Sequence, residues 1–175
     1  MIKTVVSVKR TAGTLLNASL KELKKTSIYV GIPRGSDGDA RSDGGPPNSD
    51  LGWIHEKGSP AAGIPPRPFL EPGVESVKGV LSECMGDAIT AALKGDNLGM
   101  NANLEEASHK ALSAVQNYMN TADFEPLKPA TLKYRNRSRG TKSKRDGEDE
   151  GTAENRPLIN THSLIGALLA MVHKD

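Results

Sequence analysis

The residues whose type and spacing best suit a chemical role are the cations of residues 133–145, called the basic run below. Seven of its thirteen residues are basic: Lys133, Arg135, Arg137, Arg139, Lys142, Lys144 and Arg145. Cations at this density suit contact with phosphate groups, and Tyr134 adds one ring on which a base can stack. Four acidic residues follow within 146–150 and can neutralise the run. Three interpretations therefore stay open: a solvated loop, a contact with an acidic partner subunit, or direct contact with DNA.

The sequence shows no catalytic or metal-binding pattern. The four histidines are scattered along the chain: His55, His109, His162 and His173. His55 is adjacent to Glu56, whereas two metal ligands on one face of a helix need a spacing of three or four. The single cysteine, Cys84, lies in an apolar helical pattern, which favours a buried hydrophobic side chain. No nucleophile elbow, Walker loop or dinucleotide fingerprint is present. We therefore predict a protein that is not an enzyme and uses no metal or other cofactor.

Composition limits the size of the core and the location of the protein. The chain has 175 residues, of which 36% are hydrophobic and 3% aromatic, and its formal net charge is +2. This length suits one domain with a modest core, and we predict a single domain over residues 1–175. The longest strongly apolar run, 164–172, is far shorter than a membrane span, and no segment resembles a signal peptide. We expect synthesis in the cytosol and no membrane partner.

The segment that most constrains the backbone is 64–73, called the proline arm below. It contains four prolines together with Arg67 and Phe69. Because proline fixes φ, lacks an N–H and pushes its predecessor to extended geometry, we predict a stiff connector that is neither a helix nor a central strand. Such an arm suits docking on another surface. The alternative is a crossover inside one domain, with Phe69 as a core residue.

Hydrophobic periodicity predicts both helices and strands along the chain. Strands are predicted over 2–9 and 27–33, and a helix over 12–25. Further helices are predicted from 74 to near Gly95, and from a capping residue, Asn103, onward. After 157 the pattern fits either a short helix capped by Thr161 or a final strand.

Two segments, 34–50 and 133–155, are predicted to be flexible loops. The first has almost no apolar residue but four aspartates: Asp37, Asp39, Asp43 and Asp50. Their spacing does not match a calcium-binding EF-hand loop, which also needs a closing glutamate. We therefore expect a solvated, mobile loop at 34–50.

Four segments, taken in order, resemble a known family. Residues 53–58 read Trp-Ile-His-Glu-Lys-Gly, and 64–70 read Ile-Pro-Pro-Arg-Pro-Phe-Leu. Residues 126–132 read Pro-Leu-Lys-Pro-Ala-Thr-Leu, and 157–164 read Pro-Leu-Ile-Asn-Thr-His-Ser-Leu. Together they resemble elements of the tail-completion or neck (virion morphogenesis) proteins of long-tailed bacteriophages. Asn160 and His162 depart from that pattern, since they stand where aspartate and glycine are usual.

The resemblance implies an α+β fold, in which a small antiparallel sheet packs against two or three helices, with long extended loops. It also implies a structural virion protein that forms a homo-oligomeric ring, typically hexameric, at the head–tail junction. It would act in tail completion, in head–tail joining or as a tail terminator. Its partners would be the tail-tube and head–tail connector proteins, and it would assemble in the host cytoplasm. The expected interface residues are Trp53, Glu56, Arg67, Phe69 and Leu70. The basic run would face an acidic neighbouring ring or DNA in the channel.

Two alternatives from other functional classes remain. An assembly chaperone would bind a tail protein but be absent from finished particles. A nucleic-acid-binding protein would act through residues 133–145 and lose binding when they are deleted. For the ring-forming protein, we expect Phe69→Ala to weaken ring formation while leaving the monomer folded.

Overall fold

The computed structural model describes residues 11–36, 39–41, 44–133, 157–158 and 163–174. The strand predicted over 2–9 and the basic run after Lys133 lie outside these residues. Within them, the predicted α+β fold is confirmed, because helices accompany a two-stranded antiparallel sheet.

The helices and strands follow one another along the chain with these bounds: α1 Thr11–Lys24, β1 Thr26–Gly31, α2 Asn48–Lys57, α3 Leu70–Glu75, α4 Lys78–Leu93, α5 Asn97–Thr121, a short helix Ser163–Gly166 and β2 Leu169–Lys174. The predictions for α1 and β1 are confirmed to within two residues. The segment after 157 contains both predicted alternatives, a short helix and then a strand that pairs with β1.

The chain divides into two compact units. Unit 1 takes its described residues from 1–30, 77–111 and 170–175, and unit 2 from 31–76 and 112–169. The division falls within α5, whose residues up to Ala111 belong to unit 1. The assignment of 1–175 to a single domain stays a prediction.

Unit 1 is built around a helix whose inner face is made of small residues. α4 packs against α1. It buries Cys84, Ala88, Ala91 and Ala92. Ala88, Ala91 and Ala92 share a cluster with Met100 and Leu104 of α5, and partly buried residues of α1 and the sheet cover it: Leu20, Leu23, Ile28 and Val172. Small side chains let neighbouring helices approach closely, so α4 is stabilised by close helix packing rather than by the burial of large side chains. The prediction that Cys84 is a buried residue is confirmed.

The helices after the proline arm differ from the prediction at two points. The helix predicted from 74 to near Gly95 is two helices, with a break between Glu75 and Lys78. α5 begins at Asn97 rather than at Asn103. The Asp96 carboxylate accepts a hydrogen bond from Gly99 N at 2.9 Å and so caps the helix. The amide of Asn103 instead donates to the Gly99 carbonyl inside the helix.

In the described part of the predicted loop 34–50, whose last three residues belong to α2, one carboxylate joins the start of the segment to the helix. Asp39 accepts hydrogen bonds from Gly35 N and from Ser49 N, each at 2.7 Å. Ser49 lies in the first turn of α2, and the preceding Pro47 makes no side-chain cap. Asp39, which lies outside the helix, therefore supplies a hydrogen-bond acceptor for a backbone N–H group in the first turn of α2. These hydrogen bonds from Gly35 and Ser49 lower the pKa of the Asp39 carboxyl below its ordinary value of 3.8.

Asp39→Asn is expected to destabilise the chain at neutral pH, because it removes the charge that the two N–H groups stabilise. A lowered folded-state pKa contributes stability that is present above the ordinary value of 3.8 and is lost as the pH falls through the lowered value. The melting temperatures of the wild type and Asp39→Asn should therefore converge in acid. A constant difference between them over pH 7 to 2 would contradict this role of the charge.

In unit 2, α3 approaches α5 closely at Gly73. A Cβ placed on Gly73 would lie 2.8 Å from the Cα of Val115, which is too close for any other residue.

Gly73→Ala should destabilise the chain by about 1–3 kcal/mol through this overpacking. Gly86 of α4 is the matched control, since a Cβ there would meet nothing within 4 Å. Gly86→Ala should stabilise by about 0.5–1 kcal/mol, as measured by urea unfolding. If both substitutions changed the free energy of unfolding in the same direction, the close approach of α3 to α5 would be refuted.

Candidate functional site

The segments that carry the family resemblance come together in unit 2. The C-terminal end of α2 lies beside the proline arm, and the arm contacts the segment after α5. Phe69 of the arm and Leu164 of the short helix Ser163–Gly166 both lie beside Gly52 of α2. The contacts are made by residues that the resemblance singled out: Glu56, Gly58, Arg67 and Phe69. We call these four residues the signature cluster.

Glu56 caps α3 from a distance in sequence. Its Oε2 accepts hydrogen bonds from Phe69 N at 2.8 Å and Leu70 N at 3.0 Å, and its Oε1 accepts one from Glu71 N at 3.3 Å. The next residue, Pro72, has no N–H, and Gly73 N already donates to the Phe69 carbonyl. Every backbone donor at the start of α3 is thereby satisfied. The sequence predicts an extended arm over all of 64–73. The arm is non-helical only up to Phe69, because α3 begins at Leu70.

Gly58 makes the turn that returns the chain along α2. Its φ of +77° lies in the region that favours glycine, and a Cβ there would lie 2.9 Å from Pro66 N. Ser59 and Ile64 then exchange two backbone hydrogen bonds, each 2.9 Å long. Arg67 N donates to the carbonyl of His55 at 2.6 Å. The proline arm is thus fixed to the end of α2 by backbone contacts.

Arg67 fixes the arm to the segment after α5. Its side chain is buried, with 4% exposed. Nε donates to the carbonyl of Glu125 at 2.8 Å, and Nη2 donates to the carbonyl of Pro126 at 3.1 Å. Burial lowers the pKa of the guanidinium, and the charge of Glu125 opposes that shift. The fork of donors on one rigid group holds two consecutive carbonyls at once, which a lysine does not reproduce.

Phe69 fills the core between α2 and the short helix Ser163–Gly166. It is 2% exposed, and its Cζ and the Cδ1 of Leu164 would each lie 3.9 Å from a Cβ on Gly52. The amide of Asn48 at the start of α2 donates to Ser163 Oγ at 2.8 Å. Phe69 is therefore a core residue, the alternative that the sequence left open for the proline arm.

These positions correct the interface expected from the sequence. Arg67 and Phe69 are buried within their own chain, and the Glu56 carboxylate is occupied by backbone donors, so these three residues are not surface anchors in this structure. Leu70 is half-buried. Trp53 alone of the five predicted residues is strongly exposed, with 67% of its surface accessible. Its role in an interface stays a prediction.

The other predicted groups are distributed away from this cluster. Lys133 is exposed, and the remaining basic residues lie outside the described part of the chain, as do Asp37, Asp43 and His162. Where the structure describes the chain, no three His, Cys, Asp or Glu side chains meet as a metal site would require. In the same residues, no helix combines the length and apolarity needed to cross a membrane.

The signature cluster is structural in its chemistry, since each charged group is used on backbone atoms. Comparison of the chain with family models, curated proteins and solved structures found no match. The family resemblance therefore depends on the quoted segments themselves.

Two aromatic residues of these segments offer a matched test of buried and exposed roles. Phe69→Ala should destabilise the folded chain by about 3–5 kcal/mol, because it leaves a cavity in the core. This replaces the expectation that Phe69→Ala weakens ring formation while leaving the monomer folded. Trp53→Ala, at an exposed position of α2, should change stability by less than about 0.5 kcal/mol. Chemical unfolding followed by circular dichroism measures both. A Phe69→Ala protein as stable as Trp53→Ala would contradict the buried position.

Proposed function

We propose that this chain is a structural protein of a tailed-phage virion that forms a homo-oligomeric ring at the head–tail junction. In that position it would complete or terminate the tail and join the tail tube to the head connector. It would act by presenting surfaces to neighbouring subunits, without catalysis or a cofactor.

The observation that carries the proposal is the meeting of the resembling segments in unit 2. Glu56 of the first segment binds backbone N–H groups of the second, and Arg67 of the second donates to the Pro126 carbonyl of the third. Phe69 and Leu164, from the second and fourth segments, both lie beside Gly52 of α2. A chance likeness of short sequence pieces gives no reason for those pieces to meet. A shared fold does, because the residues that define its signature are those that fix its backbone.

The contacts also suit a protein that works by docking. The arm is held by the buried guanidinium of Arg67, by the Glu56 carboxylate, which accepts three backbone hydrogen bonds, and by the core residue Phe69. Its conformation is therefore set before any partner binds. A preset conformation lowers the ordering cost of association.

The test is the mass of the purified chain by light scattering over a range of concentrations, with and without its tail-tube partner. A discrete mass several times that of the 18.6 kDa chain, seen as closed rings by negative-stain electron microscopy, is the expected result. A protein that stays monomeric under all these conditions would overturn the proposal.

A second measurement separates the proposed role from the two alternatives. Mass spectrometry of purified virions should detect the chain at a fixed ratio to the tail-tube protein, whereas an assembly chaperone would be missing. Deleting residues 134–145 should leave ring formation intact. If neither the full chain nor the deletion variant forms a ring, and the deletion abolishes salt-dependent DNA binding, the result would instead support the nucleic-acid-binding alternative.

A further inference from the structure

We draw no further inference here: the strongest candidate, the exposed apolar surface patch that Met85, Ile89 and Leu93 form along α4, carries none, because nothing in the described part of the structure shows what covers it.

Discussion

The buried guanidinium of Arg67 is the interaction on which unit 2 depends. A charge withdrawn from water is costly unless strong acceptors replace the lost hydration, and here two consecutive backbone carbonyls do so. That requirement fixes where the segment after α5 runs relative to the proline arm. Once the arm is fixed, Phe69 has one direction in which to enter the core and Leu70 one place at which α3 begins. Glu56 completes this arrangement by accepting hydrogen bonds from the three backbone N–H groups at the start of α3.

Much of the fold could be predicted from the sequence, for reasons visible in particular residues. Leucine spacing predicts α1, β-branched and aromatic residues predict β1, and the apolar pattern places Cys84 in the core. The start of α5 was missed because Gly99, a poor helix former, lies in its first turn and obscures the capping role of Asp96. The break between α3 and α4 was missed because hydrophobic spacing continues through it.

The signature cluster could be predicted only in part. The prolines establish that residues 64–69 are extended, but they do not establish which way Phe69 points, so core and interface remained equal alternatives. The partners of Arg67 are carbonyl groups, which every residue possesses, and so no side chain marks them in the sequence. Likewise, a carboxylate that binds backbone N–H groups thirteen residues away leaves no local pattern. Such contacts become visible only when the backbone is known.

The small inner face of α4 has a thermal consequence. Folding of this helix withdraws a cysteine and several alanines from water, while Met85, Ile89 and Leu93 stay 36%, 44% and 54% exposed. The heat-capacity change of unfolding follows the apolar area that folding removes from water, so α4 contributes little to it. The stabilisation that α4 gains from burial therefore varies less with temperature than that of a helix that buries large apolar side chains.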